Sequence, residues 1–285
     1  MTEIKFRPIK VGSVEHTIFG FPHGEGEAGP SAKLGSALRR HADAISPREY
    51  LIAEEHGPEY DIGRILKKHA PIVAKRGEFA EWYYPLIFRA IFPTKDQLER
   101  YVEYRREFDD QIQKNATTDS ELMDLTSATR IPMHVTLQQK AEFAKQFGNL
   151  AAEGLTTFRS FLLAEIALSR GSSLGRGVVK TYCGFNHTEE IEEFMRDPSK
   201  RVSYARSLPP ELRAIHSQVT NINGQIHQMF LLHRDKFAGN QHANLLGWLA
   251  RKVNGHLINR IAGKGGPELR IDISEFRRLI GGVRK

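Results

Sequence analysis

Few side chains in this 285-residue sequence have the types and spacing that chemistry needs. Histidines gather late, at His216, His227, His233, His242 and His256. No two of these stand at the i, i+4 spacing that puts both imidazoles on one helix face, and no HExxH occurs. His23, Glu25 and Glu27 alternate in FPHGEGEAGP. They are ligand types, but the Gly- and Pro-rich setting reads as a solvent-facing loop rather than a metal site. The lone cysteine, Cys183, excludes an intrachain disulfide and a multi-Cys zinc site, and is expected to be a small buried residue. GxSxG, a paired-Cys redox motif and the GxxxxGK[ST] phosphate loop are all missing. GSSLGRGVVK therefore reads as a flexible connection. NHTEEIEEFMRD reads as a short helix starting at Asn186 or Thr188, with its glutamates on a solvated face. No metal, cofactor or catalytic residue is expected.

A different set of residues, those from Thr129 to Gly171, is ordered by periodicity. Ile131, Met133 and Val135 alternate with Arg130, Pro132 and His134, which is strand spacing. At Thr136 the period changes. Thr136 can cap a helix with Gln139 three residues on, and Phe143, Phe147, Leu150 and Ala151 follow at helical spacing. Gly154 is placed to end that helix in a left-handed conformation. Thr156 or Thr157 can cap a second helix, with Phe158, Phe161, Leu162 and Ile166 on one face. A strand–helix–turn–helix unit of about forty residues cannot bury a core alone, so it must dimerise or lean on the rest of the chain.

This order resembles the ribbon-helix-helix DNA-binding proteins. More narrowly, VTLQQKAEFAKQFGNLAAEGLTTFRSFLLAEIAL resembles the MobC-type plasmid mobilisation proteins of the relaxosome. The resemblance covers Arg130 to Gly171, and more loosely IHSQVTNINGQI. It implies a dimer or higher oligomer whose paired strands enter the major groove of double-stranded DNA. Arg130, His134 and Thr129 would face bases, with Thr136 at the strand's end. The helix N-terminus at Thr156 and Thr157 would hold a phosphate. It further implies binding at an origin of transfer (oriT) in conjugation, a relaxase as a possible partner, and no catalysis by the chain itself. Pro132 departs from the pattern, since proline lacks a ladder donor. A ribbon-helix-helix transcriptional regulator, an enzyme or toxin with its site in the aromatic N-terminal half, and a helical scaffold are the competing readings.

The expected architecture is mainly α, in three parts. Residues 1–113 form a helical domain with short N-terminal strands at IKFRPIKV and VEHTIFGF. Residues 129–171 form the ribbon-helix-helix-like unit, after a polar linker from Lys114. Residues 205–285 form a basic helical hairpin and tail. In the first part, SPREYLIAEE carries a helix start at Ser46, Pro47 and Glu49, and PTKDQLERYVEYRREF carries a capping box at Thr94 and Gln97. Trp82, Tyr83, Tyr84, Phe88 and Phe92 are expected in its core. In the last part, Leu212, Ile215, Val219, Ile222, Ile226 and Met229 make a heptad-like seam after Pro209 and Pro210.

Net charge is +7 and lies wholly in the last 86 residues. Residues 200–285 hold 15 Lys/Arg against 5 Asp/Glu, whereas residues 1–128 hold 18 against 21 and residues 129–199 hold 8 against 8. That basic block, with Arg251 and Lys252 within it, suggests a polyanion partner. No apolar run approaches the ~20 residues of a membrane span and no signal peptide is visible, so a cytoplasmic location is expected.

Overall fold

The computed structural model describes residues 4–5, 8–21, 49–53, 77–104, 133–175 and 177–232. These residues are mainly helical, as expected, but the helices pack on a mixed sheet larger than the sequence reading foresaw. β1 (Ile4–Lys5) and β2 (Ile9–Val11) lie antiparallel to β3 (Val14–Phe21), in the two stretches expected to form strands. β4 (Glu49–Ala53) takes the segment whose capping residues predicted a helix. β5 (Gly77–Phe79) follows it, and β6 (Gly177–Gly184) replaces the expected flexible connection. β6 runs parallel to β3 on one side and β4 on the other, and β5 is parallel to β4. The order is β1-β3-β6-β4-β5, with β2 also on β3.

Burial explains both corrections. Tyr50, Leu51 and Ile52 of β4 and Val179, Tyr182 and Cys183 of β6 are all buried. A short apolar run of this kind belongs inside a parallel sheet, where both faces are covered, and this outweighs a local helix-start signal. Cys183 is buried, as expected.

After β5 a 3-10 turn (Ala80–Tyr83) leads into α1 (Tyr84–Ile91). The aromatic stretch is core: Tyr83, Ile87, Ile91 and Phe92 are buried. Phe88 and Phe92 meet Tyr101 at ring-centroid distances of 5.3 and 4.8 Å. The helical residues 95–104 start with the expected capping box. Thr94 Oγ1 accepts the Gln97 N–H at 3.3 Å and Gln97 Oε1 accepts the Thr94 N–H at 3.2 Å.

The largest correction falls on the strand expected at 130–135. Met133, His134 and Val135 lie in α2 (Met133–Phe147), and Thr136 is inside that helix rather than capping it. The alternation rests on six residues. The Leu-, Gln-, Lys- and Ala-rich run after it favours helix, which extends back over neighbours at little cost once nucleated. Residues 129–132, including Arg130, lie outside the described residues.

Gly148, at φ 89°, separates α2 from α3 (Asn149–Leu155), and α4 (Thr157–Leu174) follows Thr156. Gly154 does not end a helix in a left-handed turn; it sits within α3. A Cβ there would lie 3.0 Å from Ile91 Cγ2 and 3.3 Å from Ile87 Cγ2, so the missing side chain lets α3 approach α1. The left-handed C-cap falls instead at Gly175, which closes α4 at φ 68° and turns the chain into β6.

α5 (Phe185–Arg196) starts directly from the end of β6, one residue before Asn186, the earlier of the two expected starts. α6 (Pro198–Ser207) was not foreseen, although Asp197 caps it by accepting the Ser199 and Lys200 N–H groups at 2.9 and 3.0 Å. α7 (Pro210–Leu232) follows the two prolines as expected. Its seam residues Leu212, Ile215, Val219 and Ile222 are buried within the chain, where α7 packs on α4 and α1. The second arm of the expected hairpin lies outside the described residues.

One buried group makes the fold sensitive to acid. His16 of β3 is 1% exposed, its Nδ1 has no hydrogen-bond partner among the described residues, and its ring sits under Gly171 of α4. Burial pushes its imidazole down from 6.5 to about 4. Between those values the unfolded chain binds a proton that the folded chain refuses, so stability falls as pH drops from 6.5 to about 4. The full loss is about 3 kcal/mol. Urea midpoints at pH 7 and pH 4.5 check this. The wild type should lose stability that His16→Leu keeps, and equal losses in both would refute it.

Candidate functional site

The parallel strands β3, β6, β4 and β5 all end on one edge of the sheet. α5 leaves that edge directly, because Gly184, the last residue of β6, is also its N-cap. α4 precedes β6 through a single tight turn, so its N-terminus returns to the same edge. Two pairs of side chains at i, i+3 spacing therefore face each other: Thr157 and Ser160 on α4, His187 and Glu190 on α5.

Their geometry is a continuous hydrogen-bond chain. Ser160 Oγ lies 2.8 Å from His187 Nδ1 and donates to Glu190 Oε2 at 2.6 Å. Thr157 Oγ1 donates to Glu190 Oε1 at 2.7 Å. Lys140 Nζ of α2 donates to Thr157 Oγ1 at 2.8 Å and to Glu153 Oε2 of α3 at 2.7 Å. The Tyr204 hydroxyl of α6 donates to Glu153 Oε1. Burial first, and then the Glu153 charge, push the Tyr204 phenol above its ordinary value, so it stays a donor. Ser160 and His187 are buried. Five helices thus contribute to one polar cluster, which holds two carboxylates against one ammonium. Beside it, Arg159 is buried and places its guanidinium 4.7 Å from the Tyr84 ring centre, while Tyr83 Oη lies 3.5 Å from the Arg159 carbonyl.

Of the residues picked out from sequence for DNA contact, only those on α2 and at the start of α4 are among the described residues. His134 and Thr136 lie in the first turns of α2, and Arg130, Arg251 and Lys252 lie outside the described residues. Thr156 and Thr157 do flank the start of α4, but their hydroxyls point inward. Thr156 Oγ1 donates to the Ala152 carbonyl at 2.6 Å, and Thr157 serves Glu190. The α5 glutamates were read as a solvated face, yet Glu190 is half-buried in the cluster.

Sequence reasoning missed Ser160, His187 and Glu190, although a signal was present. GFPHGE begins at Gly20 and GFNHTE at Gly184. The first copy starts in the end of β3 and the second at the end of β6, and these ends are adjacent, with Phe21 opposite Gly184. His23 itself lies outside the described residues. Among the described residues no group of three or more His, Cys, Asp or Glu side chains could hold a metal ion, and no helix is long and apolar enough to cross a membrane. A groove of about 270 Å³ also opens between α4 and α7, lined in part by Glu165, His216 and His227. There His227 Nδ1 lies 2.5 Å from Ser173 Oγ, whereas His216 Nε2 stands 3.6 Å from Glu165 Oε2, beyond hydrogen-bond distance.

No protein-family model matches the sequence, and no curated protein and no solved structure matches it either.

Proposed function

We propose that the chain is an enzyme of hydrolytic type whose centre lies at the carboxyl edge of the parallel strands, with His187 as general base. One observation carries this reading. A repeated G-F-x-H motif leaves two neighbouring parallel strands one residue out of register, and its second histidine is buried and held by Ser160. Carboxyl ends of parallel strands are where open α/β sheets bind ligands, because loops and helix N-termini converge there. An imidazole suits proton transfer near neutral pH, and the Ser160–Glu190 pair behind it orients the ring. Arg159, next to Ser160 in the chain, meets the Tyr84 ring of the aromatic stretch. The test is a panel of chromogenic esters, phosphate esters and peptides, assayed with and without added divalent cations. Turnover of one class above the blank supports the reading. No turnover of any class rules it out.

Duplex DNA binding is a second reading, and its support is charge. Residues 200–285 carry the +10 excess, and Arg206 and Arg213 of α6 and α7 are exposed. Affinity for random duplex should then fall with salt by about 0.9 log units per log unit for each phosphate contact. Arg251→Ala with Lys252→Ala should flatten that slope by about two contacts. A salt-independent affinity would remove this reading, and with it a relaxosome role.

A further inference from the structure

We infer that Lys140, Thr157, Glu190 and Ser160 form a directed relay that fixes His187 as the Nδ1–H tautomer, making them positioning residues for its Nε2. The inference rests on the proposed role of His187 only for its consequence in catalysis; the proton directions follow from the geometry alone.

Direction is set at the far end. A lysine ammonium has donors and no acceptor. Lys140 Nζ at 2.8 Å from Thr157 Oγ1 therefore makes that oxygen an acceptor, and the Thr157 proton must go elsewhere. It goes to Glu190 Oε1 at 2.7 Å. Glu190, as a carboxylate, only accepts. Its other oxygen stands 2.6 Å from Ser160 Oγ, so the Ser160 proton points at Glu190. The competing acceptor, the Thr156 carbonyl, is 3.5 Å away and too distant to hold that proton. Ser160 Oγ then has only lone pairs left for His187. At 2.8 Å the contact requires a proton on Nδ1, which leaves Nε2 as the acceptor nitrogen. Charge-assisted bonds at both carboxylate oxygens reinforce this direction. The two copies of the G-F-x-H motif do not share this arrangement in sequence, since Glu190 follows His187 at i+3 whereas Gly26 follows His23 at that spacing.

Glu190→Gln tests the relay with little change in shape. Thr157, still driven by Lys140, must donate to the amide oxygen. The amide N–H₂ then faces Ser160 and donates to it, and the Ser160 proton turns to His187 Nδ1. The tautomer flips to Nε2–H. Long-range ¹H–¹⁵N correlation spectra of the full chain, with the His187 signals assigned by His187→Asn, read this directly. The expected result is a protonated Nδ1 in the wild type and a protonated Nε2 in Glu190→Gln. Adding Lys140→Met to Glu190→Gln should return a mixture, because Thr157 is then free to accept. Ser160→Ala should also give a mixture. A wild type protonated at Nε2, or a folded Glu190→Gln variant with unchanged Nδ1–H, overturns the relay. Turnover separates the two ideas: a flipped tautomer with a lowered kcat and unchanged KM supports both. A flipped tautomer with unchanged kcat leaves the relay standing and removes His187 from the chemistry.

Discussion

Phe161→Ala is expected to lower the unfolding free energy by about 3–5 kcal/mol, the usual cost of emptying a large aromatic site in a core. Phe161 is 1% exposed and sits where four helices meet. Its ring lies 5.4 Å from Phe194 of α5, 5.0 Å from Tyr204 of α6 and 5.0 Å from His216 of α7. Removing it leaves a cavity that no single neighbour can fill, because each ring is held by its own helix. Tyr204, which donates to Glu153 in the polar cluster, loses one of its ring contacts at the same time and keeps the one to Phe194. Urea denaturation followed by circular dichroism measures the effect. A loss below about 1 kcal/mol would mean that α6 and α7 do not close over α4 as described.

What the sequence revealed of this fold depended on how local the signal was. The Thr94–Gln97 capping box, the β3 strand and the first four residues of the α7 seam rest on signals within a short stretch of chain, and all three formed as read. The failures concern long-range pairing. Tyr50 to Ile52 carries helix-start residues in front of it, yet joins β6 and β5, partners about 130 and 25 residues away. Val178 and Val179 follow three glycines that signal a loop, yet form the centre of the sheet. Parallel pairing leaves no short-range trace, because its hydrogen bonds lie between distant segments. Met133 to Val135 shows the reverse error, where a brief alternation was outweighed by the helix-forming run that follows it. The candidate site was illegible for the same reason. Ser160 and Glu190 are 30 residues apart and meet only because α4 and α5 flank β6. The repeat of G-F-x-H was visible in the letters, but its meaning required knowing that β3 and β6 are neighbours.

His187→Asn is the measurement that tests the central claim most directly. Asparagine keeps an N–H that can reach Ser160 Oγ, so the relay stays occupied, but it removes the nitrogen that would take the proton. Loss of a positioned general base lowers the rate by about 10²–10⁴-fold, or roughly 3–5 kcal/mol of transition-state stabilisation. The variant should melt within a few degrees of the wild type, since one hydrogen-bonding side chain is exchanged for another. The comparison is kcat/KM on the substrate class turned over best by the wild type, in the two proteins at equal folded concentration. The account predicts a fall of at least about 100-fold with KM nearly unchanged, as expected for a group acting only in the transition state. A folded His187→Asn variant that turns over the same substrate at the wild-type rate would contradict it.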